Sequence, residues 1–435
     1  MMNRNIDILT SEAVALLKEM VAIESSSFSE GAVCSHISEW LSDKGVAHER
    51  VGNNIIATHM TDESCPTLTL CAHIDTVTAS EDYGFDPYKP DYQRAAGIIS
   101  GIRGENLTAS DIVAGLGSND DGASVVAMIA AFRYFSETDV QGERGIQNDP
   151  SHYVGPSPCG QGGSTVLNTS LTLNEEQSQK KTDDAVIGTA CGKSICNIIL
   201  VLTCEEERSG KNGMTGLWGS RLCSRAEAKE GCIPVDFAIV GEPTGMKAAI
   251  AERGLLVIDA TAHGISGHAA RNEGKNALYM ALEDIDRLRR HEFGRVSARM
   301  GKVNLNVTQI NAGTAHNVIP DRCDFVIDIR PTEKYSNEEL LKELQEICTS
   351  ELRPRNLANR SSATFEDSPL QKAAERLGIG TFSSPTTSDW MRITCDAVKM
   401  GPGESARSHK KDEYVLVSEI ADGIRTYIEF INNIK

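Results

Sequence analysis

Apolar and polar positions recur along the chain at two different periods. Residues 11–22 place apolar side chains at helical spacing behind a capping Ser11, and residues 31–42 repeat that spacing for a second helix. The short runs 54–58, 67–72, 197–203 and 237–240 are dominated by apolar residues. Such runs predict strands, the more apolar ones buried on both faces of a sheet. Residues 122–135 form an equally apolar stretch of helical length. Strands alternating with helices predict an α/β layer, a mostly parallel sheet with helices on both faces.

The rhythm changes near residue 255. Strand 255–262, helix 275–290, strands 303–310 and 323–330, and helix 337–349 follow in the order βαββα. That order predicts a small α+β, ferredoxin-like unit inserted into the larger domain. The expected organisation is a discontinuous main domain, 1–250 and 360–435, with 251–359 as a separate lobe. Residues 138–190 are rich in Gly, Ser, Gln, Asn and Asp and poor in large apolar side chains. Such a segment buries too little surface to offset its ordering entropy, so a mobile surface insertion is expected there. A partner-binding loop is the alternative.

A length of 435 residues fits two domains better than one core. The net charge of −18 argues against nucleic acid or an anionic membrane as partner, since both repel an acidic surface. The 12 cysteines include no Cys-x-x-Cys pair, and Cys71, Cys204 and Cys323 sit inside apolar runs. They read as small apolar side chains carrying reduced thiols. The first residues hold no signal-peptide core, and no apolar run approaches the ~20 residues of a membrane span. A soluble, cytoplasmic protein is expected.

Five loops that follow apolar runs carry the candidate chemistry. His73 and Asp75 stand two apart at the end of the run from Thr67, a spacing that puts both on one face of a strand. A carboxylate so placed orients a ligating imidazole; the same pair also suits an ordinary surface. Asp120 and Asp121 close the glycine-rich segment 115–122 before a helix, where acids serve either as a cap or for a cation. Glu205, Glu206 and Glu207 follow the run 197–203, and three adjacent carboxylates repel unless solvated or neutralised by a cation. Glu242 follows the run 237–240, and His409 lies in a glycine-rich loop after 397–400. Sites of open α/β sheets gather at the carboxyl ends of strands. Two imidazoles and three carboxylates there suit a pair of divalent ions.

These motifs, in this order over nearly the whole chain, resemble the family of acetylornithine deacetylase, succinyl-diaminopimelate desuccinylase, aminoacylase and carboxypeptidase G2. The resemblance implies two divalent ions per chain, zinc with cobalt or manganese as alternatives. His73 and Glu242 would hold one ion and Glu207 and His409 the other, with Asp120 bridging. Asp75 would orient His73, and Glu206 would be the general base; Glu205 and Glu206 remain the competing pair. A cis peptide between Asp120 and Asp121 is also implied. The inserted lobe resembles a lid and homodimerisation domain. Its Gly267-His268 segment is similar to one whose histidine stabilises the oxyanion in the partner subunit's site. Asn317 and Arg330 resemble groups that bind the scissile carbonyl and a substrate carboxylate. Asp389, in Thr387-Ser388-Asp389, resembles a pocket residue suited to a basic side chain.

The implied reaction is hydrolysis of the amide of an N-acyl amino acid, N-acetylornithine or a related N-acetyl or N-succinyl amino acid, of the arginine-biosynthesis type. A metallodipeptidase or broad aminoacylase is the alternative within this chemistry. A catalytically inactive relative that binds a ligand or partner is the alternative outside it. Two features depart from the family pattern, the segment 138–190 and the long stretch between His73 and Asp120.

Overall fold

A computed structural model describes residues 2–146, 196–271 and 273–435 of the chain. Its main sheet is mixed. In spatial order it runs His48–Val51, Asn54–His59, Asn197–Thr203, Thr67–His73, Phe237–Val240, Asp396–Lys399, Ala248–Glu252 and Ser362–Ala363, with Thr381–Ser384 also paired to Ala248–Glu252. The four central strands, Asn197–Thr203 through Asp396–Lys399, are mutually parallel, so their carboxyl ends share one edge. Antiparallel strands flank them.

The period of two decides what each face buries. Leu68, Leu70 and Ala72 of one central strand, and Ile198, Leu200 and Leu202 of its neighbour, enter the core beneath the helices. Cys71, Ile199 and Val201 point to the other face, against Met214, Leu217, Trp390 and Ile393. The helices Met2–Val21, Gly31–Asp43, Gly122–Ile146 and Val417–Ile431 contribute Leu16, Ile37, Val126 and Tyr427 to the first core. Truncating a fully buried member such as Leu70 to Ala is expected to remove about 2–5 kcal/mol.

A second, antiparallel sheet orders Asn304–Ala312, Arg322–Arg330, Leu256–His263 and Glu351–Pro354. Alternate residues of Leu256–His263 are buried, and the helices Ala277–Arg290 and Asn337–Ile347 cover that face through Ala281, Leu340 and Leu344. Ser336 starts the second helix with a full capping box to Glu339. That helix ends at Ile347 rather than at the expected 349, because the edge strand Glu351–Pro354 follows at once.

The helix from Gly122 runs on to Ile146, so residues 138–146 of the expected insertion are helical. Residues 147–190 lie outside the described residues. Among the described residues no cysteine is joined to another in a disulfide. Among the described residues no helix is long and apolar enough to cross a membrane.

Candidate active site

His73 is the last residue of a central strand and is buried. Its Nδ1 lies 2.9 Å from the carbonyl oxygen of Asp75. A carbonyl only accepts, so Nδ1 carries the proton and Nε2 turns toward Asp120, 3.2 Å away. The Asp75 carboxylate also serves the neighbouring turn. It accepts the backbone N–H of Glu206 at 3.0 Å and of Glu207 at 3.1 Å, and the Ser27 hydroxyl at 2.7 Å. Its nearer oxygen stays 3.6 Å from His73 Nδ1. The strand ends at His73, so the two-residue alternation that would align both side chains does not extend to Asp75.

Asp120 is delivered by a tight loop. Gly115 has φ 126° and Gly117 φ 76°, and a Cβ on Gly117 would stand 2.5 Å from a Thr76 methyl. Glycine alone meets both demands without strain. The peptide between Asp120 and Asp121 is cis. Glu413 accepts the backbone N–H groups of Asn119 and Asp120, both at 2.9 Å. Asn119 is tied in turn to Glu404, accepting its N–H at 2.9 Å.

The three glutamates separate. Glu205 adopts φ 61°, and its carboxylate accepts from the Asn212 backbone at 3.0 Å and side chain at 2.6 Å, away from the histidines. Glu206 and Glu207 continue into a short 3-10 turn. Glu207 Oε1 lies 2.9 Å from His409 Nε2, and His409 is 3.6 Å from Asp120. His409 itself has φ 57°, a left-handed conformation that non-glycine residues seldom adopt outside functional loops.

Two groups of possible ligand atoms result, His73 with Glu206 and Glu207, and Asp120 with Glu207 and His409. Within each group the atoms lie within 4.8 Å of one another. Glu242, at the exit of Phe237–Val240, stands beside these groups without belonging to either. Its charge and those of Asp389 and Glu207 nonetheless act on Glu206.

The electrostatics are those of acids crowded in a dry place. Burial, then repulsion from Glu242, Asp389 and Glu207, pushes Glu206 well above the usual carboxylate range. Burial and Asp120 do the same to Glu242. The hydrogen bond to Glu207 raises His409 to about 9. Burial disfavours a charge on His73, but Asp120 and Asp75 outweigh it and raise the imidazole. The imidazoles thus take up positive charge that the carboxylates demand. This nitrogen and oxygen donor set, with no thiolate, fits two divalent ions.

The remaining predicted residues sit elsewhere. Asp389 is buried beneath the strand ends, accepting from Thr203 at 2.7 Å, and burial raises it to about 6. Arg330 reaches Asp328 through two hydrogen bonds, 2.8 and 3.1 Å. It ends its strand where the lobe joins the main sheet. His268 and Asn317 are exposed at the opposite end of the lobe, joined by the Ala269 N–H donating to the Asn317 carbonyl at 3.0 Å. The eight residues of Leu256–His263 lie between, a span of roughly 25 Å at the usual rise per residue. Within one chain, therefore, His268 and Asn317 do not meet Arg330.

Sequence reasoning missed Glu413 and Lys399. Lys399 was visible as a lone lysine inside an apolar run, and it is 1% exposed, 3.1 Å from Glu252. Glu413 offered no signal beyond its place four residues after His409.

Residues 250–356 match the peptidase dimerisation domain of the M20 type. Over this segment, the chain is similar to proteins of the M20 family. It is 29% identical over 249 residues to a succinyl-diaminopimelate desuccinylase of Cereibacter sphaeroides, covering 51% of this chain and 63% of that protein. It is 26% identical over 247 residues to an acetylornithine deacetylase of Myxococcus xanthus, covering 51% and 61%. The chain thus spans less than two thirds of the length of these curated relatives. A dinuclear metal-binding peptidase of the M20 family from Bacillus subtilis superposes with a TM-score of 0.61 at 13% identity, over 98% of each chain. That likeness is one of fold.

Proposed function

We propose that this chain is a metal-dependent amidohydrolase of the M20 type that removes the acyl group from a small N-acyl amino acid, N-acetylornithine or a related N-acetyl or N-succinyl amino acid. The observation that carries the reading is the pair of overlapping donor groups that share Glu207 at the carboxyl edge of the parallel strands. The names of the relatives, a desuccinylase and a deacetylase, support it.

In this reading His73 and Glu242 would hold one ion and Glu207 and His409 the other, with Asp120 available to both. Zinc is the proposed metal, with cobalt or manganese as alternatives. Bound divalent ions polarise the amide carbonyl and bring the pKa of water toward neutrality. Glu206, inside the cluster, takes the proton from the attacking water and passes it to the leaving amine. Arg330 engages the substrate carboxylate with its planar fork. Asp389 is the group proposed to meet a basic side chain of the substrate. His268 and Asn317, remote from Arg330 in their own chain, serve the partner subunit's site at the oxyanion, which requires a homodimer built on the lobe 251–359. The main domain, 1–250 and 360–435, carries the metals. The compartment proposed is the cytoplasm.

The test is amide hydrolysis of a panel by metal-reconstituted protein: N-acetylornithine, N-succinylornithine, N-succinyl-diaminopimelate, N-acetylmethionine and two dipeptides. Release from one acyl-amino acid well above the dipeptides is expected. Cleavage restricted to the dipeptides, with a free α-amino group required, would overturn the deacylase reading in favour of a metallodipeptidase.

A further inference from the structure

Two arginines cross between the main sheet and the lobe in opposite directions. Arg253 follows directly on the strand Ala248–Glu252, and its backbone N–H donates to Ser384 of the main domain at 3.2 Å. Its guanidinium reaches the other way. It donates to the carbonyls of Lys302 at 3.0 Å, Arg330 at 3.1 Å and Met300. Arg299 returns from the lobe, donating to the Ile250 carbonyl at 3.2 Å and to that of Thr364 at 2.5 Å. Ser383 closes the pattern by donating to the Arg299 carbonyl at 2.8 Å.

The residue beside Arg253 is anchored as firmly on the pocket side. Glu252 is fully buried; it accepts the Ser388 hydroxyl at 2.6 Å and pairs with Lys399 at 3.1 Å. Lys399 also donates to the Thr386 carbonyl at 3.1 Å. Ser388 precedes Asp389, whose carboxylate accepts from Thr203 at the end of a central strand. One dipeptide, Glu252-Arg253, therefore holds the turn 386–389 with one side chain and the backbone of Arg330 with the other.

We infer that Arg253 is a positioning residue for substrate binding, which fixes Arg330 at a set height above the pocket so that its guanidinium meets the substrate carboxylate. The inference rests on the carboxylate role proposed for Arg330. A planar guanidinium with several N–H donors spans three carbonyls at once, whereas the ammonium of lysine is a point donor on a flexible stem. The lobe strand ends at Arg330, so a freed carbonyl at that position lets the side chain drift while the metal ligands, all in the main domain, stay in place.

The experiment compares Arg253→Lys and Arg253→Gln with Arg330→Ala in the full-length, metal-loaded protein. Each is assayed on the best N-acyl amino acid of the panel and on its α-carboxamide, with metal content and thermal midpoint measured alongside. Loss of one hydrogen bond to a charged group corresponds to about a 10-fold or larger change in binding. The expected result is a KM raised about 10-fold or more for the carboxylate substrate, kcat within about 2-fold, and no change of KM for the carboxamide. Metal content should equal that of the unaltered protein. A normal KM in both Arg253 variants, with KM raised in Arg330→Ala, would overturn the positioning role and leave the clamp intact. A KM unaffected in Arg330→Ala would overturn the clamp, and the positioning role with it. Equal loss on both substrates would show a general structural effect and would also overturn the positioning role.

Discussion

Asp75 holds Glu207 by its backbone: the carboxylate accepts the Glu207 N–H at 3.1 Å and that of Glu206 at 3.0 Å. One buried acid therefore sets the direction of both glutamates that face the histidines. Its backbone carbonyl meanwhile orients the ring of His73. Asp75→Asn keeps the shape but turns a donor amide toward one of these N–H groups. Groups that orient metal ligands typically contribute 10–100-fold in affinity or activity. Zinc affinity of Asp75→Asn, measured by competition with a chromophoric chelator, is expected to fall by about that factor. Unchanged affinity would show that the 206–207 turn holds its place without the carboxylate.

The separation of His268 and Asn317 from Arg330 predicts trans complementation. On the proposed roles, Glu206→Gln would disable the site of its own chain, whereas His268→Ala would disable the partner's. Each variant alone should be nearly inactive. Refolding them together at equal amounts gives a random mixture in which about half the dimers are hybrid, each with one intact site. Recovery of roughly a quarter of the unaltered protein's activity follows from that pairing. No recovery in the presence of hybrid dimers would place His268 in its own chain's chemistry or outside it.

Much of the site was legible because its elements bury strongly apolar strands. The runs 197–203 and 237–240 were bounded correctly, since every residue or nearly every residue of each is buried. Each ends where a candidate ligand begins. The helix Tyr92–Arg103 and the strand Ile112–Ala114 were not anticipated. The former buries only a narrow stripe of Ala95, Ala96 and Ile99, and the latter is three residues long and pairs outside the main sheet with Tyr414–Leu416. Ala248–Glu252, rich in alanine, carries no β-branched pattern apart from Ile250. The roles of Asp75 and Glu413 are set by backbone N–H groups distant in sequence, which no local spacing reveals. Glu205 is separated from its neighbours by its own left-handed backbone.

The lobe has its own test in Asp284. This fully buried acid accepts from the N–H and hydroxyl of both Thr349 and Ser350, and from Arg287 at 2.7 Å. Burial alone would raise its pKa, but the Ser350 and Thr349 hydrogen bonds outweigh that and hold it below the usual value. A carboxyl depressed in the folded state contributes stability that is complete above the unfolded value, about 3.9. That contribution is lost as pH falls through the lower folded value. Asp284→Asn should therefore unfold about 1–3 kcal/mol more easily near neutrality. In denaturant titrations the gap to the unaltered protein should stay constant down to about pH 5 and shrink below it. A gap independent of pH into the acid range would mean that packing, and not the charge, carries the effect.

The central claim is that Glu206 and two bound ions together hydrolyse an acyl-amino acid amide. Metal-stripped protein titrated with zinc, with bound metal and N-acetylornithine hydrolysis followed in the same samples, tests it most directly; the best panel substrate replaces N-acetylornithine if another is preferred. Activity should rise from near zero and level at two ions per chain. Glu206→Gln should bind the same two ions yet turn over about 10²–10⁴-fold more slowly. Hydrolysis undiminished in the chelated protein, or near-normal turnover by Glu206→Gln with both ions bound, would contradict the account.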